Sequence, residues 1–128
     1  MRLLLDTHTF LWFIAGDERL SGPAREAIAD IKNEVLLSIA SLWEIAIKLS
    51  LGKLELEGPF DALIPQLLAD NAVKILPIEL EHLFVLAELP FHHRDPFDRL
   101  IIAQGLAENI PILSADGAFR EYPVRIIW

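Results

Sequence analysis

The chain has 128 residues, of which 53% are apolar and 23% are charged, and it contains no cysteine. A chain of this length supports one hydrophobic core, so we expect a single domain over residues 1–128 and exclude a disordered or low-complexity protein. The net charge of −8 argues against general adhesion to nucleic acid or to an anionic membrane, and the lack of cysteine excludes disulfides and thiolate metal sites and favours a cytoplasmic protein.

The first half of the chain alternates short apolar runs with stretches of helical periodicity. In chain order the predicted elements are a strand over 2–5, a helix over 7–14, a helix that begins after an N-cap at Ser21, a strand over 34–38 and a helix over 39–51 that Gly52 ends. The stretch 35–51 is the most notable candidate for a membrane span, but it carries Glu44 and Lys48. Charges at mid-bilayer are costly, so we expect no membrane segment.

The second half of the chain continues the same alternation. Its predicted elements are a helix over 60–69, bent at Pro65, a strand over 73–76, a helix over 79–88, a loop over 89–94, a helix over 96–108, strands over 111–113 and 124–127, and a helical turn near Ala118. Strands that are almost wholly apolar and alternate with helices are typical of a parallel sheet covered on both faces. The pattern therefore predicts an α/β fold, a three-layer sandwich.

Two acidic residues follow predicted strands. Asp6 directly follows the first strand, and Asp116 comes shortly after the fourth. Each has an ordinary explanation, since Asp6 can cap the helix that begins at Thr7 and Asp116-Gly117 is a turn signal. Ligands bind beyond the carboxyl ends of parallel strands, however, so two neighbouring strands would bring both carboxylates into one crevice.

Glu44 lies in the third predicted helix, where almost every neighbour is apolar. Ser41, Glu44 and Lys48 share one stripe of that helix, at spacings of three and four residues. The ordinary explanation is an exposed Glu44–Lys48 pair, worth about 0.3 kcal/mol. A helix that is apolar around most of its circumference is buried, so we favour a polar stripe that lines a cleft.

Asp98 falls in the first turn of the sixth predicted helix. Asp95 as the N-cap and Pro96 as the first helical residue form a capping arrangement that accounts for Asp95. It accounts for Asp98 only in part, because Asp98 shares its helix face with Ile101 and Gly105, a face expected to pack inward. Gly105 permits close approach of another element, although glycine in a helix costs up to about 1 kcal/mol relative to alanine.

These observations give four candidate catalytic and metal-binding residues: Asp6, Glu44, Asp98 and Asp116. Four carboxylates in one cleft would repel one another and raise each other's pKa values. Mg²⁺ or Mn²⁺ would remove the conflict, since both prefer oxygen ligands; proton sharing between carboxylates is the competing explanation. Acid-rich clefts that hold Mg²⁺ catalyse phosphoryl transfer, and the charge of the ion would let an acidic protein bind nucleic acid locally.

Basic and hydroxyl side chains along the same segments are candidates for supporting roles. The candidates for contacts with phosphate are Lys48, Arg94, Arg99 and Arg120, and those for a hydrogen bond to a metal-bound water are Thr7 and Ser114. Exposure to solvent is the ordinary explanation for each cation, and only Arg99, beside Asp98, rises above it. Adjacent histidines rarely chelate one ion, so we assign His92 and His93 to the loop at 89–94 and not to the metal.

With these residues identified, the chain resembles the PIN-domain ribonucleases, specifically the VapC-like toxins of type II toxin–antitoxin pairs. The resemblance spans almost the whole chain and keeps the order of the family's motifs. The matching segments are LLDTH at 4–8, SLWEIAIK at 41–48, LPFHHRDPFDR at 89–99 followed by IAQ at 102–104, and SAD at 114–116 with Phe119. The segment 95–99 and the Trp43-Glu44 pair are the most specific.

The resemblance implies a PIN-like fold, a three-layer α/β/α sandwich with a short, mostly parallel central sheet, and an Mg²⁺- or Mn²⁺-dependent endoribonuclease activity on RNA. It implies an acidic site composed of Asp6, Glu44, Asp98 and Asp116, with Ser114 in support. It also implies a homodimer and inhibition by a small antitoxin protein, whose C-terminal tail covers the toxin and often places an arginine in the acidic pocket. Gly105 stands where many relatives have alanine.

Two other functions remain open at this point. The first is a catalytically idle module that only binds a partner protein, and the second is a small-molecule phosphohydrolase, for which the Asp-x-Asp pattern is missing because Thr7 and His8 follow Asp6. Trp12, Phe13 and Trp43 are large aromatic residues for so small a core. The sequence is equally compatible with their lying in the core and with their facing a partner.

Overall fold

The computed structural model describes all 128 residues and contains five strands and six α-helices. In chain order they are β1 (Arg2–Leu5), α1 (Thr7–Ala15), α2 (Gly22–Ala29), β2 (Glu34–Ser38), α3 (Ile39–Ser50), α4 (Phe60–Asp70), β3 (Val73–Leu76), α5 (Leu80–Glu88), α6 (Pro96–Glu108), β4 (Ile112–Leu113) and β5 (Ile126–Ile127). A short 3-10 helix, Gly117–Glu121, joins the last two strands. Every predicted element is confirmed, with ends that differ from the prediction by at most two residues.

The strands form one sheet with the order β3-β2-β1-β4-β5, and every pair in it is parallel. The central strand β1 pairs Leu5 with Leu37 of β2 on one side and with Leu113 of β4 on the other. The chain order reverses between β1 and β4. Such a reversal opens a crevice at the carboxyl ends of the two strands, which is where ligands bind in sheets of this kind.

Helices cover both faces of the sheet. Successive residues of a strand point to opposite faces, so Leu3 and Leu5 pack in a core with Phe10 of α1, whereas Leu4 packs in a second core with Ile101 of α6. Helices α2 and α4 contribute to the first core, and α5 packs against α6 beside the second. The predicted three-layer α/β/α sandwich is confirmed.

The last two strands are shorter than the sequence predicts. Strand β4 has only two residues in register with β5, Ile112 opposite Ile126 and Leu113 opposite Ile127. Strand β4 begins only at Ile112, so it offers no partner before Ile126, and Val124 instead bonds back to Tyr122 in a turn. The apolar pattern over 124–127 therefore overestimates β5, because a strand extends only as far as its partner offers hydrogen bonds.

Gly105 lies in the middle of α6 against β4, and the predicted close approach of another element is confirmed. A Cβ atom built on Gly105 would lie 2.7 Å from Cδ1 of Ile112 and 3.1 Å from Cγ2 of Val124. Both distances are shorter than ordinary van der Waals contact between carbon atoms, about 3.5–4.0 Å. The missing side chain thus lets α6 approach the sheet closely.

We expect Gly105→Ala to lower the free energy of unfolding by about 1 kcal/mol. Overpacking of a filled core costs about 1–3 kcal/mol, and the better helix propensity of alanine returns about 1 kcal/mol. The substitution should cost less in an Ile112→Val background, since valine lacks the Cδ1 atom that lies closest. Urea unfolding of the unchanged chain, the two single variants and the double variant measures both effects. A Gly105→Ala substitution that stabilises the otherwise unchanged chain would contradict the expectation.

The three large aromatic residues divide between core and surface. Trp12 and Phe13 are partly buried and pack against the core on the α1 side of the sheet. Trp43 is 56% exposed, and its ring lies edge-on against Phe97 with 4.9 Å between the centroids. Among the helices, none combines the length and the apolar run that crossing a bilayer requires.

Candidate active site

The four acids singled out in the sequence come from four segments at the carboxyl edge of the sheet. Asp6 follows β1 and Asp116 follows β4, while Glu44 lies in the second turn of α3 and Asp98 in the first turn of α6. Helix α3 begins directly after β2, and β1 pairs with both β2 and β4. The order of the strands therefore brings the starts of α1 and α3 and the end of β4 to one place.

Asp6 caps α1 and also faces the end of β4. Its Oδ1 atom accepts the backbone N–H of Thr9 at 2.8 Å, and its Oδ2 atom accepts the hydroxyl of Ser114 at 2.6 Å. Only 4% of Asp6 is exposed, and this burial raises the pKa of its carboxyl group against the opposing effect of the two hydrogen bonds. The N-cap explanation is thus correct but incomplete, because capping uses only one of the two oxygens.

Glu44 is buried, with 6% of its surface exposed. Its Oε2 atom lies 3.0 Å from Nζ of Lys48, so the predicted i,i+4 pair forms, but with a buried glutamate. Its Oε1 atom has no hydrogen-bond partner. An unsatisfied buried oxygen costs about 1–3 kcal/mol, and more when the group is charged, so a cation beside Glu44 would relieve a specific penalty.

Asp98 lies close enough to the other acids for their charges to affect it. Asp95 caps α6 by accepting the backbone N–H of Asp98 at 2.9 Å, as predicted. Burial raises the pKa of Asp98 to about 7, with help from the negative charges of Asp95, Asp6 and Glu44 and against the opposing effect of His93. Asp98 is therefore a member of the same cluster as Asp6 and Glu44.

His93 joins two of the acids, and the sequence reasoning missed it. Its Nε2 atom lies 3.0 Å from Oδ2 of Asp98 and 3.0 Å from Oδ2 of Asp116. The ligand atoms that these three side chains offer all lie within 4.8 Å of one another, which is compact enough to surround a metal ion. The assignment of His93 to a loop is correct, but this loop turns into the site. One signal in the sequence could have indicated a role for His93: it lies two residues before Asp95, directly ahead of the capping motif that positions Asp98.

Arg99 holds that loop and does not face the acids. It is 6% exposed, and its guanidinium group donates to the backbone oxygens of Pro90 at 2.9 Å and Leu89 at 3.1 Å. The same group lies 3.7 Å from the centroid of the Phe91 ring, a cation–π contact. The prediction that Arg99 contacts phosphate is therefore corrected: its donors are used on the loop, and its support of the site is indirect.

Tyr122 holds the loop from the other side and was not singled out in the sequence. Its hydroxyl donates to the backbone oxygen of Pro90 at 2.7 Å and accepts the backbone N–H groups of His92 and His93, each at 2.9 Å. Tyr122 follows the 3-10 helix and is 3% exposed. No sequence pattern signals this contact, because it joins residues about thirty positions apart through a side-chain hydroxyl.

The two hydroxyl residues predicted to support the site both lie buried within it. Thr7 donates to Oγ of Ser41 at 3.0 Å, which links the starts of α1 and α3. Ser114 donates to Asp6 and accepts the backbone N–H of Asp116 at 3.1 Å. Their hydrogen bonds go to protein groups, so both side chains order the cluster, and a contact with a metal-bound water stays a prediction.

The remaining basic candidates differ in their surroundings. Lys48 pairs with Glu44 and is one-third exposed at its side chain. Arg94 and Arg120 are exposed, and neither forms an ion pair or a side-chain hydrogen bond. They lie beside His93 and in the 3-10 helix that follows Asp116, respectively, and a contact with phosphate stays a prediction for both.

The donors in this cluster fit a hard divalent cation. Four carboxylates converge there, and among basic side chains only Lys48 and His93 pair with any of them. The unpartnered Oε1 atom of Glu44 and the raised pKa of Asp98 both show that negative charge at this place is undercompensated by the protein itself. Oxygen ligands of this type are those that Mg²⁺ and Mn²⁺ prefer.

Comparison with known proteins relates the chain to a known family. The family model of the PIN domain matches residues 3–124. Ribonuclease VapC16 of Mycobacterium tuberculosis is 36% identical over 58 residues, a stretch that spans 45% of this chain and only 41% of that protein.

Solved structures agree on the fold. VapBC2 from Rickettsia felis, bound to a DNA fragment from its promoter, superposes with a TM-score of 0.74 at 16% identity, covering 98% of this chain and 97% of that one. A toxin–antitoxin complex from Klebsiella pneumoniae gives a TM-score of 0.64 at 14% identity, covering 94% and 92% of the two chains. At such low identity these likenesses show the fold alone.

Proposed function

The chain belongs to the PIN domain family, and from that membership we propose that it is an Mg²⁺- or Mn²⁺-dependent endoribonuclease, the toxin of a toxin–antitoxin pair. One observation carries the proposal: the unpartnered, buried Oε1 atom of Glu44 lies within a cluster of four acids. A cation satisfies such an oxygen, whereas a neighbouring ionised carboxylate has no proton to donate to it. The similarity of part of the chain to a ribonuclease favours RNA as the substrate.

Asp6, Glu44, Asp98 and Asp116 would hold the cation. When bound, the cation supplies positive charge that lowers the pKa of a water molecule and offsets the charge that develops on phosphate. The other polar residues keep the acids in place: Ser114 orients Asp6, and Lys48 orients Glu44 through its Oε2 atom. The buried surroundings strengthen each of these electrostatic interactions.

The exposed side of the cluster is the side on which RNA would bind. Asp116 is 44% exposed at its side chain, and the exposed Arg94 and Arg120 lie on the segments beside it. We assign these two arginines to contacts with RNA phosphates, which would compensate locally for the net charge of −8. Such contacts add affinity and carry no sequence preference.

Removal of divalent cations tests the reaction. We expect cleavage of an RNA oligonucleotide to stop in EDTA and to return when Mn²⁺ or Mg²⁺ is added in excess, with product formation followed on a gel. Full activity in EDTA would contradict the proposal. Turnover of a generic phosphomonoester without RNA cleavage would favour a phosphohydrolase, and the absence of Mn²⁺ binding at millimolar concentration would favour an idle binding module.

A groove beside the cluster offers a place for the antitoxin. It has a volume of about 790 Å³ and lies between α1, the end of α3, the segment at 53–57 and α4. Its apolar lining includes Leu11, Trp12, Leu54, Leu63 and Leu67. Lys48 lines the groove and also pairs with Glu44, so the groove leads to the acids. A helix with one apolar face fits this shape, and its continuation would reach the acidic cluster.

We expect Leu67→Glu to abolish co-purification with the proposed antitoxin, because a charge on the apolar lining of the groove opposes burial of an apolar helix. RNA cleavage should persist, since Leu67 lies outside the acidic cluster. Ala69→Glu is the matched control: it changes an exposed residue of the same helix that does not line the groove. Equal retention of the partner by both variants would contradict this location.

We also propose that the chain forms a homodimer. Helix α5 exposes three large apolar residues, Leu80, Leu83 and Phe84, to extents of 42–65%. An apolar patch on one helix face is typical of a surface that associates. Light scattering of the chain without a partner tests this, and a mass of one chain at micromolar concentration would contradict it.

A further inference from the structure

His93 contacts two carboxylates through one ring nitrogen: it donates a hydrogen bond to Asp116, and the same nitrogen lies close to Asp98. The Nδ1 atom of its ring accepts the backbone N–H of Asp95 at 3.3 Å, so the proton of the neutral ring lies on Nε2. Nε2 is the atom that lies 3.0 Å from Oδ2 of both Asp98 and Asp116. The ring is therefore oriented by its own loop to present a donor to the acids.

Asp98 and Asp116 have few other contacts that fix their positions. No hydrogen bond reaches the carboxylate of Asp98, and the only basic group beside it is Nε2 of His93, at 3.0 Å. The Oδ1 atom of Asp116 accepts the backbone N–H of Ala118, in its own segment, and the only other group that bonds to this carboxylate is His93. Because Asp98 lies in the first turn of α6 and Asp116 caps the 3-10 helix, His93 is the side chain that holds these two segments together at the cluster.

The loop that carries His93 is itself fixed from two sides. Tyr122 binds the backbone N–H of His93 and the backbone oxygen of Pro90, and Arg99 binds that same oxygen. Both anchoring side chains are more than nine-tenths buried. The ring of His93 also packs against Phe119, with 5.8 Å between the centroids. His93 is thus held in its position before any ligand arrives.

Two other roles for His93 fit this geometry less well. A ring nitrogen that carries a proton has no lone pair for a metal, so His93 is not a ligand in this orientation. Nor does it block the site, because an ionised carboxylate offers roughly four lone-pair positions and one N–H group occupies one of them. The remaining positions on Asp98 and Asp116 stay available to a cation.

We propose that His93 is a positioning residue of the cation site, which holds the carboxylates of Asp98 and Asp116 at the spacing that one cation needs. The inference rests on the proposed function in one respect, since it requires a divalent cation to bind the acids. Hydrogen-bond partners of metal ligands contribute to affinity in this way, and their loss lowers metal affinity by about 10–100-fold.

Binding of Mn²⁺ alone, without RNA, tests the proposal. The free ion is quantified by electron paramagnetic resonance during titration of the purified chain. We expect His93→Ala to raise the Kd for Mn²⁺ by about 10–100-fold and His93→Gln to recover part of the loss, because glutamine keeps an N–H donor. His92→Ala, on the same loop but outside the cluster, should bind as the unchanged chain does.

A variant that leaves His93 intact gives an independent readout. Tyr122→Phe removes the hydroxyl that anchors the loop, so it should weaken Mn²⁺ binding in the same direction as His93→Ala. Thermal unfolding without metal shows whether each variant is folded. Spin-echo spectra of the Mn²⁺-loaded chain should lack the coupling of a directly bound histidine nitrogen.

Three outcomes would overturn the inference, and two of them are distinct from failure of the proposed function. Equal or tighter Mn²⁺ binding by a folded His93→Ala would show that the hydrogen bonds do not support the site. A directly bound nitrogen in the spectra would make His93 a ligand. Both results leave cation-dependent RNA cleavage intact, whereas an unchanged chain that does not bind Mn²⁺ at millimolar concentration would overturn the inference and the proposed function together.

Discussion

Asp98→Asn and Asp6→Asn should each reduce RNA cleavage by about three orders of magnitude. Loss of a charge that holds a catalytic cation removes several kcal/mol of stabilisation from the transition state, and each 1.36 kcal/mol is about tenfold in rate. Both substitutions keep the size of the side chain. Asparagine is also a good N-cap, so α1 retains its cap when Asp6 is replaced. Initial rates on one RNA substrate at saturating Mn²⁺ measure the effect.

The control for these substitutions is Asp61→Asn. Asp61 is exposed in the first turn of α4 and lies outside the cluster, so the same chemical change there should leave the rate unchanged. Circular dichroism at increasing temperature verifies that each variant folds. A folded Asp98→Asn that cleaves RNA at the normal rate would remove Asp98 from the site, while equal losses in Asp61→Asn would indicate an effect of overall charge.

The metal-free chain should lose stability as the pH rises from about 4 to about 7. Burial raises the pKa of Asp98 to about 7 in the folded chain from its ordinary value of 3.8, so between these values the folded state holds a proton that the unfolded state has released. Stability then falls with increasing pH. The full shift in the pKa of Asp98 corresponds to a loss of about 4 kcal/mol in the free energy of unfolding. Partial exposure of Asp98 to solvent reduces this loss to about 1–2 kcal/mol. Asp6, whose pKa is also raised by burial, adds to the loss in the same direction.

Urea unfolding in EDTA at several pH values measures this dependence. Asp98→Asn should flatten the profile and be more stable than the unchanged chain at neutral pH, because asparagine carries no charge to bury. Mn²⁺ at about one hundred times its Kd should raise the free energy of unfolding of the unchanged chain by about 2.7 kcal/mol, and that of Asp98→Asn by much less. A metal-free chain whose stability rises over this pH range would contradict the assignment of the raised pKa to Asp98.

The secondary structure and its arrangement in layers followed from local signals in the sequence. The N-caps Ser21 and Asp95 mark the starts of α2 and α6, and both form the expected backbone hydrogen bonds. Short apolar runs marked the strands because strands buried on both faces tolerate few polar residues. The order of the strands, however, depends on which strands pair, and no residue pattern within a strand specified that β1 lies between β2 and β4.

The resemblance of the sequence to PIN-domain ribonucleases is confirmed at the level of the family. The four acids stood out because each adjoins an apolar segment, where an unpaired charge is costly. Their roles as metal ligands remain proposals. For Glu44 the sequence also indicated the correct environment: the helix is buried there, and the glutamate with it.

The residues that the sequence reasoning misjudged all belong to the loop at 89–94 and its anchors. His93 was assigned to the loop without a role, Arg99 was expected to face phosphate, and Tyr122 was not considered. A loop has no periodicity from which the direction of a side chain can be deduced. Its conformation here depends on hydrogen bonds from Arg99 and Tyr122, and these form only once α6 and the 3-10 helix are in place.

The sequence by itself determined which segments become strands and helices and which acids require compensation, since caps, periodicity and the cost of burying charge act on neighbouring residues. Only the tertiary structure decided that Asp6 meets Ser114 across 108 positions of the chain and that His93 joins Asp98 to Asp116. Such contacts depend on strand pairing and on loop anchoring. Both arise from packing of the whole chain, which brings together residues that are distant in sequence and that no local pattern relates to one another.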